Sequence, residues 1–160
     1  MGSDSLLKRC FREPISEIFD SARYLDAAVS AHLSGHPELA AQLFFAANDK
    51  HVWDWTDSVW GKNSPYVTVN KQPSLHTVTR SKARMPDSEM KRLLHERDGY
   101  HCRFCGIPVI RAEVRKLLHK AYPTDIPWGR TNASQHAGFQ CMWLQSVSYT
   151  HLTLPTTSRV

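Results

Sequence analysis

Cys102 and Cys105 stand two residues apart, with Gly106 directly after the second thiol. A Cys-x-x-Cys pair in a short loop can turn both sulfurs toward one cation. Zn²⁺ bound by thiolates takes four ligands in a tetrahedron, and this spacing supplies two of them. A residue without Cβ suits a backbone that must turn back under the metal. The same spacing also fits a redox dithiol or an incidental loop. A redox pair would open a helix after a core strand. Here a helical pattern precedes the pair and charged residues flank it, which favours zinc. The chain has no second Cys-x-x-Cys, so the pair is half a site. His101 is adjacent to Cys102, but neighbouring positions point in different directions. Cys10 and Cys141 have no close Cys partner and read as ordinary reduced thiols.

A second group of residues could meet phosphate: Arg103, Arg111, Arg115, Lys116 and Lys120. They lie in a stretch, residues 80–120, with eleven Lys/Arg against five Asp/Glu, whereas residues 1–60 carry five against nine. The whole chain has a formal net charge of +5. Basic charge concentrated around a metal-type spacing is the footprint of a module that meets nucleic acid, through salt-dependent phosphate contacts. A solvated amphipathic helix accounts for Arg115, Lys116 and Lys120 equally well. Trp53, Trp55 and Trp60 could stack bases, but such clusters more often pack a small helical domain. His136 reads as a structural or surface residue rather than a catalytic one, and His95 and His119 as solvated residues on helix faces.

The elements that must position these groups read mainly as helices. Pro14 suits a first helical turn, and Ile15, Ile18, Phe19, Ala22, Leu25, Val29 and Leu33 recur at helical steps. Gly35 and Pro37 end that helix and begin a second over Glu38 to Asn48, with Leu39, Leu43 and Phe44 on one side. The pair is expected to form a hairpin. The tryptophan cluster follows, closed by Gly61. Tyr66 to Val69 has strand character, and Ser74 to Arg84 is polar and basic. A helix starts at Asp87 or Ser88, presents Met90, Leu93 and Leu94, and stops at Asp98-Gly99. Another is expected over Val109 to Ala121. Tyr122 to Gly129 is a proline-stiffened loop, and Asn132 to Leu144 holds a short helix or strand with Phe139, Met142 and Trp143 facing a core.

The run Arg97-Asp-Gly-Tyr-His-Cys-Arg-Phe-Cys-Gly106, entered from a short helix, resembles the zinc-bearing bacterial subgroup of the HNH endonucleases. The stretch from Tyr122 to Gln145 is similar to the spacer of some bacterial members. The resemblance covers residues 86–145. It implies an α+β chain, mainly helical as written: an N-terminal helical hairpin followed by the first part of a ββα-metal domain. It also implies structural Zn²⁺ on Cys102 and Cys105, DNA as partner, and Mg²⁺ or another divalent cation for phosphodiester hydrolysis. In that family an Asp-His pair follows, whose His acts as general base on water. This chain instead continues from Ser146 into a Ser/Thr-rich segment that resembles translated adapter or vector sequence. No catalytic residue is therefore assigned, and the chain is expected to be an inactive N-terminal fragment. The alternative is a non-catalytic, zinc-dependent nucleic-acid-binding module.

The organisation expected is a helical region over 1–61, a linker over 62–85, the partial HNH domain over 86–145 and a non-native tail over 146–160. No apolar run approaches the roughly 20 residues that span a bilayer. The N-terminus lacks the order of a signal peptide, so the expected location is cytoplasmic, with no membrane partner.

Overall fold

The computed structural model describes residues 12–61, 64, 87–102 and 105–142. Among them are six α-helices and one 3-10 turn. Helix α1 spans Ser16–Leu33 and buries Ile18, Ser21, Leu25, Ala28 and Ala31, a stripe at three- and four-residue steps. Its end is closed by His36 N–H donating to the Ala31 carbonyl at 2.9 Å, with Gly35 at φ +81° making the turn. Pro37 then opens α2, Pro37–Ala46, which buries Ala40 and Phe44. Asp49 caps α3, Lys50–Trp60, by accepting the His51 N–H at 2.7 Å.

Helix α4, Ser88–Arg97, starts at Asp87, whose carboxylate accepts the Met90 N–H at 2.8 Å. It buries no residue, and Met90 and Leu93 are half exposed. Helix α5 spans Ala112–Ala121, the 3-10 turn Asn132–Ser134, and α6 Ala137–Cys141.

One apolar cluster unites the two ends of the described chain. It holds Ile18, Leu25, Phe44, Val52, Trp55 and Val59 from α1 to α3, and Ile107, Tyr122, Ile126, Phe139 and Met142 from the later segment. Helix α1 packs along α2, as expected of the hairpin, and α6 lies against α3 and α1. Tyr122 makes the junction from its side. Its ring centre is 5.0 Å from that of Phe44, and its hydroxyl shares a 2.7 Å hydrogen bond with His32 Nδ1. The residues of the expected helical region and those of the expected HNH segment thus share one core.

The mainly helical character matches the sequence reading, with several local differences. On α2 the buried stripe is Ala40–Phe44–Ala47, whereas Leu39 is 49% exposed. Leu33, at the end of α1, is 78% exposed because the chain has already turned toward α2. The helix expected from Val109 begins only at Ala112, after an extended Arg111 at its N-cap, and the Ile110 N–H donates instead to the Met142 carbonyl at 2.7 Å. No ββα unit occurs among the described residues, where single bridges pair His101 with Pro108 and Trp128 with Gln135. Trp55 is buried, its indole N–H donating to the Glu13 carbonyl at 2.8 Å, in keeping with a packing role. The strand expected at Tyr66 to Val69, the polar run Ser74 to Arg84, Trp143 and the tail from Ser146 lie outside the described residues.

Candidate metal-binding hairpin and basic surface

The thiol pair sits on a short hairpin built from backbone hydrogen bonds. Helix α4 ends where Tyr100 N–H donates to the His95 carbonyl at 2.9 Å. Gly99 (φ +60°) and Tyr100 (φ +57°) are both left-handed, which reverses the chain within two residues. For Tyr100 that conformation costs roughly 1–2 kcal/mol, and its ring stacks on His95 with centres 6.2 Å apart. The hairpin then closes in three bonds of 2.8 Å: Val109 N–H to Tyr100 carbonyl, Cys102 N–H to Ile107 carbonyl, and Gly106 N–H to Cys102 carbonyl. Gly106, at φ +73°, supplies the turn that the sequence reading asks of it. Ile107 is buried and anchors the hairpin in the core.

Cys102 and Cys105 are both partly buried, and Cys105 packs against the core. The intervening Arg103, one of the expected phosphate contacts, lies outside the described residues. His101 is exposed, and its Nδ1 donates to the Gly99 carbonyl at 2.6 Å. Among the described residues no group of three or more His, Cys, Asp or Glu could hold a metal ion. A tetrahedral thiolate site takes four ligands, and the hairpin carries two thiols.

Cys141 is a third thiol, which sequence spacing missed. Burial pushes its pKa up to about 11; the Thr56 hydroxyl opposes this, and negative charge on nearby Cys105 adds to it. The Ile110–Met142 hydrogen bond brings the end of α6 alongside the segment leaving the hairpin. Linear spacing, 36 residues from Cys105, gave no signal of this approach.

The basic candidates separate into two groups. Lys116 and Lys120 are exposed on α5. Arg111 stands at its N-cap, with Nε 3.4 Å from the Glu113 carboxylate. Arg115 departs from the expected exposed face. It is only 7% exposed, and its guanidinium lies 3.7 Å from the centre of the Trp128 ring. Burial pulls its pKa down. At 100° per residue, Arg115 is a quarter-turn or more from Lys116 and Lys120, and that rotation takes it under Trp128.

Two histidines hold the later segment in place. His119 Nδ1 donates to the Ile126 carbonyl at 2.6 Å and is partly buried, not solvated as expected. His136 is fully buried, which makes it structural and excludes the surface role that the sequence left open. Its Nε2–H donates to the Phe44 carbonyl at 2.7 Å, while Nδ1 accepts the Phe139 N–H and caps α6. The Ala137 N–H beside it donates to the Asn48 side chain at 2.8 Å. No protein family, curated protein or solved structure matches the chain.

Proposed function

We propose that this chain is the N-terminal part of an HNH-type endonuclease, an enzyme that hydrolyses DNA phosphodiester bonds with a divalent cation such as Mg²⁺. The chain contributes half of a structural zinc site and a basic surface that approaches DNA. The observation that carries the proposal is the hydrogen-bonded, core-anchored hairpin that bears Cys102 and Cys105. It agrees with the resemblance of the run from Arg97 to Gly106. Zn²⁺ would be held by the two thiolates and fix the hairpin against the core. Lys116, Lys120 and Arg111 would neutralise phosphates without reading bases. The general base and the catalytic cation belong to residues that the resemblance places after Gln145. The protein would act in the cytoplasm.

The test is purified full-length chain against duplex and plasmid DNA. The reading expects binding that weakens steeply with salt and no nicking in Mg²⁺ or Mn²⁺. Nicking above a contaminant control would place the chemistry within this chain. Absence of binding at low salt would remove DNA as the partner.

One observation favours a second reading, a non-catalytic zinc-dependent nucleic-acid-binding module. The hydrogen-bonded hairpin carries two thiols, and a partner or a second copy of the chain would supply the rest of the tetrahedron. Native mass spectrometry separates the two. One zinc per dimer supports the module, and a monomer in zinc supports the fragment.

A further inference from the structure

We infer that His136 is an acid-sensitive latch, whose protonation undocks residues 107–142 from α1–α3. The inference is independent of the nuclease reading. His136 is 0% exposed and uses both ring nitrogens in opposite senses. Nε2–H donates to Phe44 on α2, so Nδ1 is the acceptor that caps α6 through Phe139 N–H. A second proton can go only to Nδ1. It would turn the acceptor into a donor facing another donor and leave an imidazolium inside an apolar cluster.

Among the described residues the surroundings give that charge no counter-ion. Helix α2 offers the Phe44 carbonyl and the link after it the Asn48 side chain; α1 offers Ser21, beside Gly138. Helix α6 carries the Cys141 thiol, which burial keeps protonated at neutral pH. No carboxylate among the described residues contributes to the His136 pKa, which burial lowers against the opposing pull of the Phe44 carbonyl and its own backbone.

The sign follows from linkage. Undocked His136 has the ordinary value near 6.5 and the docked form a lower one. Between the two the undocked state holds the extra proton, so His136 does not oppose docking above about pH 6.5 and weakens it as pH falls. His136 sits where α6 meets the bundle, so its charge acts on the contact that carries the thiol hairpin through Ile110 and Met142.

The experiment is hydrogen exchange of the full chain from pH 7.5 to 4.0, corrected for intrinsic exchange, in wild type and His136→Gln. A glutamine amide can donate to Phe44 and accept from Phe139 without titrating. The expected result is wild-type exchange in residues 107–142 that rises at least tenfold on acidification, at a pH where His136→Gln stays protected. Opening at the same pH in both proteins, or a wild type no more acid-sensitive than the variant, overturns the inference. Should the variant not fold, the imidazole resonance of His136 in the wild type decides. Titration coincident with loss of docking, below pH 6.5, supports the latch; titration with docking intact refutes it.

Discussion

Gly138 on α6 lies against the Ser21 hydroxyl of α1. A Cβ at position 138 would stand 2.7 Å from Ser21 Oγ and 3.2 Å from the Ala47 carbonyl oxygen. That carbonyl accepts the Ser21 hydroxyl at 2.6 Å, so three backbone segments meet with no room between them. Gly138→Ala is therefore expected to destabilise the protein by about 1–3 kcal/mol through overpacking. Adding Ser21→Ala should return part of that loss, because it removes the nearest atom. Denaturant unfolding of the two single variants and the double variant, treated as a double-mutant cycle, gives the coupling. Full additivity would mean that the two residues do not meet.

Arg115 and its neighbours on α5 should separate stability from nucleic-acid binding. Arg115 is buried over Trp128, and Arg115→Ala should lower stability by about 1–2 kcal/mol through lost packing and cation–π attraction. Lys116→Ala and Lys120→Ala should leave unfolding within about 0.5 kcal/mol of wild type. Each should reduce the slope of log affinity against log salt by about 1 if it meets a phosphate. The checks are thermal unfolding and DNA titrations at several salt concentrations. An Arg115 variant of unchanged stability would contradict the burial described above.

The three described cysteines should differ in reactivity. With its pKa near 11, Cys141 has very little thiolate at pH 8. Alkylation of the native protein with iodoacetamide, followed by peptide mass mapping, should modify Cys102 and Cys105 before Cys141. Zn²⁺ should slow the first two and leave Cys141 unaffected. Modification of Cys141 first would overturn the assignment of that shift to burial.

Much of this arrangement is legible in the residues. The helices α1 and α2 follow from apolar spacing and from the punctuation of Gly35 and Pro37, and the start of α4 follows from Asp87, whereas α3 reads only as a tryptophan cluster closed by Gly61. The hairpin is legible because Cys-x-x-Cys-Gly is a local pattern whose geometry needs only a few bonds. What escapes the sequence depends on contacts between distant segments. The segment before α5 is held to the end of α6 by Met142 accepting from Ile110, and Arg115 is buried against Trp128. The use of alanines rather than leucines on α2 reflects how closely α1 approaches. His119 reads as a surface residue until Ile126 folds back over it. The approach of Cys141 to Cys105 crosses two elements, and no spacing rule reports it.

The central claim, that Cys102 and Cys105 form a zinc half-site, is tested most directly by thermal unfolding of the full chain with and without Zn²⁺, in wild type and in Cys102→Ser/Cys105→Ser. At free zinc of about 100 times the dissociation constant, binding adds roughly 2.7 kcal/mol, equivalent to a rise of about 5–10 °C for a chain of this size. The account predicts that rise in the wild type and none in the variant. An equal rise in both proteins, or no rise in the wild type, would contradict it.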